Sequence, residues 1–391
     1  MPLLLLLSLA AFASSLSLRV LDPVIPEIAR DLSTEIGTAA LLASAIAFPC
    51  ALGQPILGAM GDAIGKARMI KFCLTGLAIG SAASALAPTI ETLFAARILT
   101  GFASGGIIPL CFATIGDRFG MKDRQVALSR VLSAILFGQL AGAIGAGIIA
   151  AHTSWRIVLA VACLIAVIAL ATVLPGLKPL PGAVRKPVTF PGMLASYGRV
   201  LANRRAFVCY GAVFVEGMAL FGILPFLAAM LEAEGTGSIK EAGFIISGLA
   251  LGGILYTLLV ARILTVTGMH GMMRVGGALC CIGLLGLALF PLWPAKMAAF
   301  LVVGVGFYMI HNSIQTQATE LVPEARGASV ALHAFNFFLG QAIGPVLYGL
   351  GVAHLGTPTT LAIAAGVMLM LGFVTAEGFA RVKAPMVAVR G

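Results

Sequence analysis

A handful of side chains able to hold a charge, a proton or a polar solute sit inside otherwise apolar stretches of this chain. Arg19 and Asp22 stand on one helical face just ahead of Pro23 and Pro26, Arg97 precedes a glycine ladder, and Glu216 lies within the run FVEGMALFGILPF. His311, Asn312 and Gln315 make one polar step, and His333 with Asn336 makes another. An ionisable group at the centre of a membrane helix costs about 2.5–3.5 kcal/mol even on the lenient insertion scale, and such groups commonly mark solute pathways or proton relays. Asp22 and Glu216 are therefore candidate proton carriers. The two arginines suit an anionic or zwitterionic solute, whereas Glu216 suits a cation, so the charge of the solute stays open. Structural roles compete with each reading: Arg19 and Asp22 as a local ion pair, Arg97 as a brace to the first helix, Glu216 as an interfacial residue, His311 as a satisfied interior histidine.

The elements that position these groups follow from composition. The 391 residues are 60% hydrophobic and 10% charged, with a mean hydropathy of +1.06, against about 25% charged in an ordinary soluble domain. This is the composition of a polytopic membrane protein. Each span needs roughly 20 apolar residues. Apolar runs fall near 3–26, 36–60, 70–88, 92–115, 127–150, 156–175, 206–230, 242–264, 273–292, 296–319, 327–352 and 357–379. They predict an all-α integral membrane protein of twelve helices with no room for a large soluble domain. The opening MPLLLLLSLAAFASS ends like a signal-peptidase site but lacks a basic leader, so it reads as the first membrane helix. The seven cysteines lie in or beside apolar runs without a Cys-x-x-Cys spacing, and no disulfide framework, metal site or cofactor is expected.

The basic residues set an orientation. With both termini cytoplasmic, most of the 25 lysines and arginines fall on the cytoplasmic side, against Arg30, Arg156, Lys240 and Lys296 outside. That asymmetry is the positive-inside pattern of a plasma (inner) membrane protein, and it accounts for the net charge of +10 without nucleic acid. Pro175 to Arg205 is the longest polar interruption, rich in proline and basic residues and free of acidic ones. It predicts a bundle over 1–175, a cytoplasmic linker over 176–205 that lies partly on the membrane surface, and a second bundle over 206–391.

The halves repeat. Gly138, Gln139, Gly142, Gly147, Ala151 and His152 recur as Gly340, Gln341, Gly344, Gly349, Ala353 and His354, at a constant offset of 202 residues. Such a parallel repeat predicts two six-helix bundles related by a pseudo-two-fold axis along the membrane normal. It also requires the first helix to be retained. Glycines spaced by four let helix backbones approach closely, so Gly138, Gly142, Gly147, Gly340 and Gly344 are expected to serve helix packing where the halves meet.

In the order and spacing of its motifs the chain resembles the major facilitator superfamily, and within it the twelve-helix drug:proton antiporter branch. The stretch GAMGDAIGKAR, Gly58 to Arg68, is similar to the loop signature Gly-x-x-x-Asp-Arg-x-Gly-Arg-Lys, with Ala63 at the basic position after Asp62. Arg97, Gly101 and Gly105 resemble the helix 4 signature; Gly138, Gly142 and Gly147 resemble the antiporter signature of helix 5, with Ala143 in place of its proline. Trp155 and Arg156 open the sixth helix in the typical way. The resemblance implies a functional monomer, not an enzyme, in which the two bundles rock about a midplane site. Helices 1, 4, 7 and 10 would line the cavity, bringing Arg19, Asp22, Arg97, Glu216, His311 and Asn312 to it, with Asn336 added from the eleventh helix. It further implies a conformational latch of Asp62, Arg68 and Arg326, with Asp62 facing the start of the eleventh helix; the alternative is that Asp62 balances Lys66 and Arg68 in a solvated turn. Small-molecule substrate, protons and membrane lipids are the expected partners. Proton-coupled efflux leads, uptake of an organic solute stays open, and a non-transporting receptor is a third class. No P-loop, metal cluster or Gly-x-Ser-x-Gly elbow points to an enzyme.

Overall fold

A computed structural model describes residues 3–178 and 190–381, and every regular element among them is helical. The centre of the expected linker, and the basic residues Arg185, Lys186, Lys383 and Arg390, lie outside the described residues. In order the helices are α1 Leu3–Arg19, α2 Ile25–Asp31, α3 Ile36–Ile64, α4 Lys66–Ala85, α5 Ile90–Arg118, α6 Met121–His152 and α7 Trp155–Gly176. There follow α8 Phe190–Leu201, α9 Arg204–Phe221, α10 Leu227–Glu234, α11 Ile239–Leu289, α12 Trp293–Glu320, α13 Arg326–Leu355 and α14 Thr357–Arg381. Helices satisfy their own backbone hydrogen bonds, which hydrocarbon surroundings demand.

Among the described residues, ten helical segments are long and apolar enough to cross a membrane. The expected twelve differ from these ten by the second arm of the 51-residue α11, bent at Gly268 with φ 62°, and by α4. The opening turns of α4 hold Lys66, Arg68 and Lys71, which explains why composition alone passes over it. Proline breaks α1 from α2 and α9 from α10. The resulting 3-10 turns, Asp22–Val24 and Leu224–Phe226, stand 202 residues apart, so the repeat extends into the first helix of each half.

Within the first half α3, α4 and α5 pack together and α6 lies along α1; within the second, α12 and α14 flank α11 and α13 lies along α9. Between the halves α13 runs against α3 and α11 against α6. Large apolar side chains such as Phe72, Leu164, Phe207, Leu258 and Met370 remain exposed on the outside, as a lipid-facing surface requires.

The glycines correct one expectation. A Cβ at Gly138 would come 2.6 Å from the Phe12 carbonyl oxygen and one at Gly142 would come 2.7 Å from that of Leu16, so both seat α6 on α1 of the same half. Gly340 and Gly344 seat α13 on α9, against the Phe214 and Met218 carbonyls, again within one half. Only Gly147 works where the halves meet, facing Ile239 and Gly243 of α11. α6 and α13 thus each turn most of these glycines to the first spanning helix of their own half.

Candidate substrate and proton site

A cavity of about 690 Å³ lies between the halves. Its deep wall holds Arg19, Phe221, Phe307, His311, Phe337 and Gln341; its mouth holds Gly58, Asp62, Tyr197 and Gly327. The mouth therefore opens at the end of the molecule where the basic turns gather. Tyr197 belongs to α8, whose Met193, Ser196 and Tyr197 share one helical face and line the cavity. Burial holds the Tyr197 hydroxyl above the usual phenol range, keeping it a protonated donor.

The opposite end is shut. Arg30 at the end of α2 pairs with Glu232 of α10 at 2.9 Å, and Gly243 brings α11 so close to α6 that a Cβ there would lie 2.6 Å from the Ala143 oxygen. Glu27 accepts the Trp155 backbone N–H at 3.0 Å, and Asp31 accepts the Trp155 indole N–H and pairs with Arg156. Fully buried Lys296 reaches Glu234 at 3.0 Å and the Leu287 carbonyl at 2.8 Å.

Arg19 is the most heavily engaged polar residue of the deep wall. Its Nη1 pairs with Asp22 at 3.3 Å, its Nη2 donates to Gln341 Oε1 across the two halves, and its guanidinium lies 4.5 Å from the centre of the Phe221 ring. Asp22 itself does not line the main cavity; it lies behind Arg19 in a small adjoining recess. The second carboxylate is set back in the same way. Glu216 is fully buried, its Oε2 stands 2.8 Å from His311 Nδ1, and its Oε1 has no partner among the described residues. His311, not Glu216, faces the cavity.

The expected residues are thus brought together unevenly. Asn312 lines the cavity and pairs with Tyr256. Arg97 is buried apart from the cavity, donating Nη2 to the Ser17 carbonyl at 2.9 Å, and so ties α5 to α1. Asn336 turns to its own helix, donating to the Leu332 carbonyl at 2.8 Å, and does not line the cavity. This corrects its place in the expected site: a helical side chain one position from Phe337 points to a different face.

The latch residues are also apart. Asp62 pairs with Lys66 at 3.1 Å, Lys66 bridges on to Asp117 at 2.6 Å, and Arg326 pairs with Glu320 at 3.6 Å, while Arg68 is exposed. Among the described residues no ion pair joins the halves at this end, because here the cavity mouth holds them apart. Asp62 thus takes the solvated-turn arrangement that the sequence left open.

Sequence reasoning missed Gln139 and Gln341 as cavity residues, although their exact repetition was a usable signal. It also missed the aromatic wall. Phe221 meets Phe307 edge-on at 5.5 Å, Phe307 stacks with Phe337 at 6.0 Å, and His311 contacts Phe307, Phe337 and His333.

A family model described as Major Facilitator Superfamily matches residues 7–345. The chain belongs to the Major Facilitator Superfamily. It is 26% identical over 369 residues to the MFS-type transporter YdgK of Bacillus subtilis (strain 168), covering 88% of this chain and 87% of the relative. It is 25% identical over 365 residues to the chloramphenicol resistance protein of Streptomyces lividans, covering 90% of each. Among solved structures, the nucleoside transporter NupG superposes with a TM-score of 0.80 at 17% identity, over 97% of this chain and 100% of that one. The protein is accordingly an integral membrane transporter of this superfamily and not an enzyme.

Proposed function

We propose that this transporter moves a small organic solute by alternating access and couples the movement to protons. The observation that carries the reading is the pair of buried carboxylates, Asp22 and Glu216, each one side chain removed from a solute-sized cavity that lies between the halves. Cavities of several hundred Å³ suit drug-sized ligands, and ionisable groups buried beside such a cavity are proton-relay chemistry. The bundles 1–175 and 206–391, joined by the linker 176–205, would be the moving bodies. The basic end would be cytoplasmic, with both termini there, in a bacterial-type inner membrane; on that reading the molecule is inward-facing. Asp62, Arg68 and Arg326 would meet only when the cytoplasmic end closes. A functional monomer suffices, since the cavity is built from one chain.

Efflux is favoured by the glycine pattern of α6 and by the relative named for chloramphenicol resistance. A different observation bears on the solute's charge: the deep wall presents Arg19 and His311 to the cavity and withholds both carboxylates, which suits an anion moved in either direction. Purified protein in liposomes tests the coupling. An imposed pH gradient should drive labelled solute against its concentration, and exchange without any response to the gradient would refute it.

A further inference from the structure

The Glu216–His311 couple has a property that follows from counting its protons. The 2.8 Å contact between Oε2 and Nδ1 requires one proton between them. With that proton alone, Nε2 carries a lone pair and accepts. With a second proton the couple is either carboxylate and imidazolium or a carboxylic acid whose Oε2–H donates to Nδ1 of a neutral imidazole, since a proton on the buried Oε1 meets no acceptor among the described residues; in both cases Nε2 carries a hydrogen and donates. His311 lines the cavity, and with Nδ1 taken up by Glu216 its Nε2 is the ring nitrogen left for a ligand. One proton therefore converts a cavity-facing acceptor into a cavity-facing donor.

The surroundings decide which ligand this serves. Around the couple stand His333 on α13, Cys280 on α11 and Tyr308 on α12. Glu377 of α14 is already paired with Arg274. Among the described lining residues the only carboxylate is Asp62, out at the mouth and held by Lys66. The deep wall offers a guanidinium, two imidazoles and amides, and beside them the rings of Phe221, Phe307 and Phe337.

We propose that the substrate is an amphipathic organic acid, bound as its anion between Arg19 and His311 Nε2 with its apolar part on the aromatic wall, and that it binds together with one proton. The second proton goes to the couple, Nε2–H donates to the carboxylate, and Arg19, already paired with Asp22, supplies a guanidinium donor opposite. Binding linkage is reciprocal: the acid anion favours the proton-loaded couple, and the loaded couple favours the anion. A cation would instead compete with the proton. The inference rests on the transporter reading only for the use of the site, not for its occupant.

The test uses three probes on one skeleton, 4-phenylbutyrate, 4-phenylbutylamine and 4-phenylbutanol, titrated into the purified full-length protein in weakly buffered solution with a pH indicator. Expected is binding of the acid with uptake of a proton, an affinity that falls about tenfold per pH unit once the couple has lost its second proton, and binding of the amine and alcohol at least roughly tenfold weaker. His311→Ala should lose acid binding. Glu216→Gln should keep it without proton uptake, because an amide can serve Nδ1 in either role without titrating; this variant carries the test if His311→Ala does not fold. Tighter binding of the amine, acid binding without proton uptake in the wild type, or no binding of any probe by monodisperse protein would overturn the proposal. Acid binding with proton uptake but no exchange of labelled acid in liposomes would uphold the site and refute transport.

Discussion

Arg30 and Glu232 are joined by an ion pair of 2.9 Å, and they are 202 residues apart, the offset at which the two halves repeat. The closed end is thus fastened by one position of the repeat carrying opposite charges in its two copies. Both side chains are partly open to solvent, at 61% and 29% exposure, so the bond is screened. A double-mutant cycle of Arg30→Ala and Glu232→Ala, read by thermal unfolding, should give a coupling of about 0.2–1 kcal/mol that shrinks at high salt. A coupling of zero at low salt would remove the pair from the fastening.

Close backbone contact holds the same end more firmly. A Cβ at Gly243 would lie 2.6 Å from the Ala143 carbonyl oxygen, and backbone cannot move aside as a flexible side chain does. Gly243→Leu should therefore spread this end while leaving each half folded. Spin labels placed through Ser33→Cys and Ala233→Cys should report a longer distance than in the parent protein; an unchanged distance would show that α6 and α11 do not govern closure.

Lys296 gives a stability prediction. It is 1% exposed and is answered by Glu234 and a backbone carbonyl. Removing one partner of a buried pair leaves an uncompensated charge, at a cost of up to about 3–5 kcal/mol, whereas an apolar replacement of the buried ion is often tolerated. Glu234 is about one-third exposed, which lowers that figure. Glu234→Gln should depress the unfolding temperature more than Lys296→Met; the reverse order would contradict this.

Much of the fold was legible because hydropathy and charge are one-dimensional properties. The spans, the repeat and the Arg19–Asp22 pair, a contact between residues three apart, could all be taken from the chain. The residues Glu216 and His311 could be placed on facing helices, but their order of depth could not, because it depends on the rotation of α9 and α12 against each other. The same rotation sends Asn336 away from the cavity and turns Gly138 and Gly142 toward α1. Lys66 as the partner of Asp62 was legible, four residues on in the same turn, whereas a contact made only on closing of the cytoplasmic end would belong to another conformation.

Asp62→Asn should leave solute binding unchanged and slow exchange several-fold, because its contacts lie at the cavity mouth and not on the deep wall. Equilibrium binding and counterflow on the same preparation separate the two effects. Equal turnover in the variant would reduce Asp62 to a partner of Lys66.

The Glu216–His311 couple is the proposed proton site. Solute flux driven by a pH gradient, measured in liposomes containing either wild-type protein or Glu216→Gln, tests it most directly. The variant should still exchange labelled solute but no longer concentrate it when the gradient is imposed. Gradient-driven accumulation equal to that of the wild type would contradict it.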